Sequence, residues 1–218
     1  MKTLISYKND PKLKKMLVTE IRKHRKADQI IRGTYGTGSN GDWKGCAVGC
    51  SIHSLNKKLG KDLPTNDHTV YETELGIPEW LARLEDILFE NLPQEEAVLW
   101  PEQFAQAIPV GVNLEPIKWH FCSFLLKENI ERVLTLDIGE SLKTQVVDTI
   151  RGVLAVHEEA IETGNWNESV AAAWAAESAA KSAAESAKSA AWAAKSAAYQ
   201  RYAKELIRLL KKDKEKTP

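Results

Sequence analysis

Apolar residues recur at helical spacing through almost the whole chain, and strand-like alternation is nearly absent. Asp10-Pro11 makes a cap and first-turn pair, after which Leu13, Met16, Leu17, Ile21, Ala27, Ile30 and Ile31 keep a helical period until Gly33. Gly33 to Gly45 is a glycine-rich loop carrying Tyr35 and Trp43. Cys46 to Leu59 reads as a helix of small residues stopped by Gly60, residues 61–67 as a linker, and Asp67 as the cap of a short helix to Leu75. Gly76-Ile77-Pro78 opens a helix with Trp80, Leu81, Leu84, Ile87, Leu88 and Leu92 on its apolar side. Trp100-Pro101 starts a short one, Asn113 to Lys127 is an aromatic core helix, and Ile138 to Glu162 is another, ended at Gly164. Arg132 to Ile138 is the single strand candidate, and a lone strand has nothing to pair with. The fold class is therefore all-α.

The most explicit instruction comes last. Between Asn167 and Lys212, at about 100° per residue, alanines form one continuous face, including Ala176, Ala180, Ala183, Ala187, Ala190 and Ala194. Trp174, Lys181, Glu185, Trp192 and Tyr199 fall opposite. Alanine loses no rotamer freedom in a helix, and neither Gly nor Pro interrupts the segment. The pattern predicts one helix of roughly 45 residues, about 65 Å long. The expected architecture is a helical head, 1–165, carrying a long Ala-rich helix and basic tail, 166–218. A face of methyl groups lets two backbones approach closely, so the six alanines are the expected seam of a homo-oligomer. Beyond Ala198 the aromatic side continues as Tyr199, Tyr202, Ala203, Leu206 and Leu210, which marks that side as core.

Charge changes the picture only locally. Thirty basic residues balance thirty acidic ones, so the net positive footprint of a duplex DNA binder is missing. Glu177 and Glu185 beside the tryptophans argue against single-stranded nucleic acid as well. Residues 1–32 nevertheless hold ten Lys and Arg against three acids, and residues 67–104 hold ten acids against Arg83 alone. The simplest expectation is that these regions face each other. No apolar run reaches membrane-span length, and the lysine-rich start lacks the apolar core of a secretory signal. Cys46, Cys50 and Cys122 are then expected as thiols in a reducing cytoplasm.

Two constellations could carry chemistry. The loop and the helix after it supply a candidate small-ligand site of Tyr35, Trp43, Lys44, Cys46, Cys50 and His53, the last three on one helical face. Cys46, Cys50 and His53 could equally start a metal site completed by His120 or Cys122, although zinc sites favour closer cysteine spacing. The loop follows a helix and matches neither phosphate-binding fingerprint. Separately, His24, Asp28, Glu72, Glu85, Asp86 and Glu90 could project inward to hold Mg²⁺ or Mn²⁺ for hydrolysis of a nucleotide-like phosphate ester.

Three stretches carry a family resemblance: Lys44-Gly45-Cys46-Ala47-Val48-Gly49-Cys50 with His53, the run from Tyr71 to Asp86, and Ala107-Ile108-Pro109-Val110-Gly111. With the Ala-rich tail they resemble a family of uncharacterised bacterial and phage proteins, over nearly the whole chain. The resemblance implies a microbial or phage setting and brings no activity with it. The leading expectation is a non-enzymatic helical interaction protein without a cofactor, an accessory factor that binds or sequesters a host component. The metal-dependent hydrolase and the small-ligand binder are the alternatives.

Overall fold

The computed structural model describes residues 4–39, 42–165 and 192–212, with side chains in the last stretch from residue 196 on. These residues fall into two compact units, Met1–Glu115 with Ser196–Pro218, and Pro116–Lys195. The division thus follows Glu115 and does not fall at residue 165. Pro116 opens the second unit, immediately before the helix that starts at Ile117.

In the first unit the chain enters through a left-handed turn, Ser6–Asn9, with Ser6 and Tyr7 buried, in which Tyr7, Lys8 and Asn9 have φ of 51°, 52° and 58°. Such a run is unfavourable for L-residues and persists only where its surroundings fix it. Here they do. Ser6 exchanges backbone hydrogen bonds with Gly111 and Val112, its hydroxyl donates to the Pro109 carbonyl (2.6 Å), and the buried Tyr7 hydroxyl donates to the Ala105 carbonyl (2.6 Å).

Asp10 then caps α1 (Pro11–Lys26) by accepting from the Lys12 amide. The helix stops short of Ile30 and Ile31 because Asp28 adopts φ 53° and the Gln29 amide turns back to the His24 carbonyl. Helix α2 (Ala47–Leu59) has Cys46 as N-cap and ends at Gly60 with φ 63°. A single π-type turn, Tyr71–Leu75, replaces the expected short helix, followed by α3 (Glu79–Asn91), α4 (Gln94–Ala97) and α5 (Trp100–Ala107). Helix α1 packs on α2 and α5, and α2 on α3, around Trp100, Tyr71, Phe89, Phe104, Ile52 and Leu55. The basic start and the acidic middle do meet. Glu102 receives Arg22 (2.8 Å) and Arg25 (3.1 Å), Glu74 receives Lys8 (3.7 Å), and Lys14 donates to the carbonyls that end α5.

The second unit is a hairpin of α6 (Ile117–Leu134) and α7 (Glu140–Thr163), closed by Ile130, Val147 and Ile150 with Leu126, Val133, Val146 and Leu154 against them. The strand candidate dissolves into the end of α6 and the turn after it, and among the described residues no strand forms. The last described element is helix α8 (Trp192–Lys212), which buries Ala203, Leu206, Leu209 and Leu210 while Arg201, Lys204 and Arg208 stay exposed. That is the core side expected from the tail. Gln200 reaches the Glu96 carboxylate in α4. The described part of the expected 167–212 helix is α8 alone. Residues 167–191, with the seam alanines Ala176, Ala180, Ala183, Ala187 and Ala190, lie outside the described residues, and Ala194 has no described side chain. The mostly helical architecture stands, and no described helix is long and apolar enough to cross a membrane.

Candidate functional site

The glycine-rich loop is fastened at both ends before any side chain is considered. Ile30 and Gly45 form one bridge and Thr37 and Lys44 another, while the Cys46 amide donates to the Thr34 carbonyl (2.7 Å). The Tyr35 carbonyl then lies directly over Gly49 of α2, where a Cβ would stand 1.9 Å from its oxygen. Only glycine allows that approach. Trp43 stacks face to face on His53 (ring centroids 4.1 Å apart, 9° between planes), and the His24 ring lies 5.5 Å from both. His24 is itself pinned by Gln29 (2.7 Å) and Ser54 (3.2 Å). Burial pushes both histidines below their usual pKa, so at neutral pH this stack is uncharged packing.

What the loop covers is a carboxylate. The Tyr35 hydroxyl donates to Asp86 Oδ2 (2.8 Å), and His68 Nε2 stands 3.5 Å from the same oxygen. The Tyr35 and His68 rings meet edge to face, 5.7 Å apart. Cys46, at the N-cap of α2, lies close enough for the Asp86 charge to act on its thiol. Four separate segments converge here: the loop, the start of α2, the turn before Tyr71, and α3. Two polar atoms at their meeting point, His68 Nε2 and Asp86 Oδ1, are shut from solvent with no hydrogen-bond partner in the chain. A buried polar atom without a partner costs about 1–3 kcal/mol, so two on neighbouring side chains are a considerable concession.

Electrostatics decide what the site can do. Burial, reinforced by the Asp86 charge, raises the Cys46 thiol well above its ordinary range, and burial does the same for Cys50. An activated thiol nucleophile needs the opposite, a neighbouring cation or base that favours thiolate. The neighbour of Cys46 is a carboxylate, and the imidazole stands 3.5 Å from that carboxylate's Oδ2. Burial and the bond to Asp86 likewise push Tyr35 up to about 12, keeping its proton in place as a donor. Beneath this layer Glu85 is 1% exposed and accepts from the Tyr71 hydroxyl (2.7 Å), which is also bonded to Ser51. Burial raises Glu85 to about 8. It is a neutral acid at pH 7, and it touches the core and not the loop.

Of the expected ligand residues, Tyr35 and Cys46 reach Asp86. Trp43 and His53 are occupied with each other, Cys50 donates weakly to the Gly45 carbonyl (3.4 Å), and the exposed Lys44 serves through its backbone. The six residues expected around Mg²⁺ or Mn²⁺ do not converge, and among the described residues no three His, Cys, Asp or Glu side chains group as metal ligands. The reason is helical geometry. Glu85 and Asp86 are adjacent on α3 and so point to different sides, inward and to the loop, while Glu90 accepts from the Gly33 amide (3.1 Å). His24 sits in the Trp43–His53 stack, Asp28 is spent on the α1 terminus, and Glu72 accepts from the Glu79 amide (2.9 Å).

No family model matches this chain. Among curated proteins and solved structures, nothing matches either. The site is therefore read from its own chemistry. Its membership includes His68, which sequence reasoning missed: in Asn66-Asp67-His68-Thr69 it looks like an ordinary turn residue. The Asp67 side chain does make that turn, accepting from the Thr69 amide (2.9 Å), and the turn is what aims His68 at α3.

Proposed function

We propose that this protein binds a small polar ligand at Asp86. The observation that carries the reading is the pair of buried, unpartnered atoms, Asp86 Oδ1 and His68 Nε2, at a point where four segments meet. A fold that needed Asp86 only for structure would have satisfied both of its oxygens. The neutral Cys46 thiol, with a carboxylate as its neighbour, favours binding over thiol catalysis. The ligand would join the donor Tyr35 on a carboxylate that still has acceptor capacity. The test is a melting-temperature panel of small amines, amides, polyols and carboxylates. One class should raise the wild-type value, by the equivalent of about 2.7 kcal/mol at a hundredfold excess over Kd. The same class should leave Asp86→Asn unmoved. A flat panel for the wild type overturns the reading.

A second reading, self-association of a helical interaction protein, is favoured by the α6–α7 hairpin. Leu134 and Leu142, at the end of one helix and the start of the next, are 47% and 52% exposed. Replacing both with Ser should weaken self-association in sedimentation equilibrium. A wild type that stays monomeric at all concentrations removes this reading.

A further inference from the structure

Resting on the ligand-binding reading, we infer that the Asp86 site takes an organic cation with at least two N–H donors, a guanidinium or a primary ammonium. The unfilled atoms set the first requirement. Asp86 Oδ1 is an acceptor in its ionised form, and His68 Nε2 is an acceptor in the tautomer that carries its proton on Nδ1. In that tautomer Nε2 presents its lone pair 3.5 Å from Asp86 Oδ2, so one group with two N–H donors can bridge both residues. The second requirement is charge. Among the described residues no Lys or Arg pairs with Asp86 or with Glu90, one helical turn further along α3. Arg83 is held by Glu79, and Arg32 reaches the Leu92 carbonyl. A carboxylate whose side chain is 15% exposed, with a second one near it and no cation, attracts a positive ligand strongly because little water screens it.

The third requirement is shape. The Tyr35 and His68 rings stand edge to face beside the carboxylate and offer an aromatic wall of the kind that favours guanidinium and ammonium groups. A bare metal ion would need three or more converging ligands, which these residues do not supply. A neutral amide would satisfy the two acceptors and leave the charge uncompensated.

The experiment is calorimetric titration of the whole chain with methylguanidinium, and with methylurea as its uncharged counterpart. Methylguanidinium should bind saturably and methylurea at least about tenfold more weakly, with Asp86→Asn losing the difference. Glu90→Gln, a substitution at a less buried carboxylate, should weaken methylguanidinium by a few-fold and leave methylurea unchanged. It keeps the test decisive if Asp86→Asn fails to fold. Equal binding of the two probes overturns the cation and leaves the ligand site standing. Failure of both probes to bind, together with a flat panel of the other ligand classes, removes the cation and the site together.

Discussion

Glu85→Gln should flatten the dependence of stability on pH. Glu85 has a folded pKa of about 8 against an ordinary 4.5, chiefly because burial penalises its charge. A group whose pKa is raised on folding contributes stability that is complete below the unfolded value and is lost as pH rises to the folded one. The window is therefore from about pH 4.5 to about pH 8, and the whole loss is roughly 5 kcal/mol at about 1.4 kcal/mol per pH unit. Glutamine has no charge to bury and still accepts from the Tyr71 hydroxyl. Urea midpoints at about pH 5.5 and about pH 8.5 should separate strongly for the wild type and little for the variant. His24 and His53 titrate with the opposite sign, their stability falling as pH drops, but that contribution is common to both proteins and cancels. Parallel profiles for the two proteins would mean that Glu85 is solvated or paired in a way its 1% exposure does not suggest.

Gly49→Ala should damage the fold severely for so small a substitution. The new Cβ would stand 1.9 Å from the Tyr35 oxygen and 2.7 Å from its carbonyl carbon, both backbone atoms that cannot rotate aside. Either α2 or the loop must shift, at a cost on the order of 3 kcal/mol or more. The loop is the weaker partner, so Tyr35 should leave Asp86 and ligand binding should fall with stability. Gly152→Ala is the control, because its Cβ meets nothing within 4 Å in the middle of α7. Alanine there should stabilise by about 0.5–1 kcal/mol. If the two variants unfold at the same urea concentration, the close approach of loop and helix is wrong.

Much of the helical framework was legible from residue order. The Asp10-Pro11 start of α1, the Gly60 stop of α2, the Pro78 entry to α3 and the Gly164 stop of α7 are local events, set by caps and by φ restrictions that neighbours alone impose. The core side of α8 was legible for the same reason, since Leu206 and Leu210 follow a helical period. Two boundaries were not. Ile30 and Ile31 continue the α1 period yet leave it for the loop, because pairing of Ile31 and Gln29 with Gly45 outweighs one more turn of helix. Arg132 to Leu134 alternates like a strand but finishes α6, because among the described residues there is no second strand to accept it.

The site divides in the same way. Residue types and spacing singled out Tyr35, Cys46 and Asp86, because a glycine-rich loop opening onto a helix and paired acids on one helix are visible in the sequence. They were assigned, however, to two different sites, a loop site and a metal site. Only the tertiary structure joined them, and only it brought in His68, 18 positions before Asp86 and 33 after Tyr35 in the numbering of the chain. The sequence by itself determined the helices and their faces, since periodicity and capping act over a few residues. The tertiary structure decided which faces meet and which carboxylate turns inward, because burial, close approach across Gly49 and the field at Asp86 arise between segments that no local pattern relates.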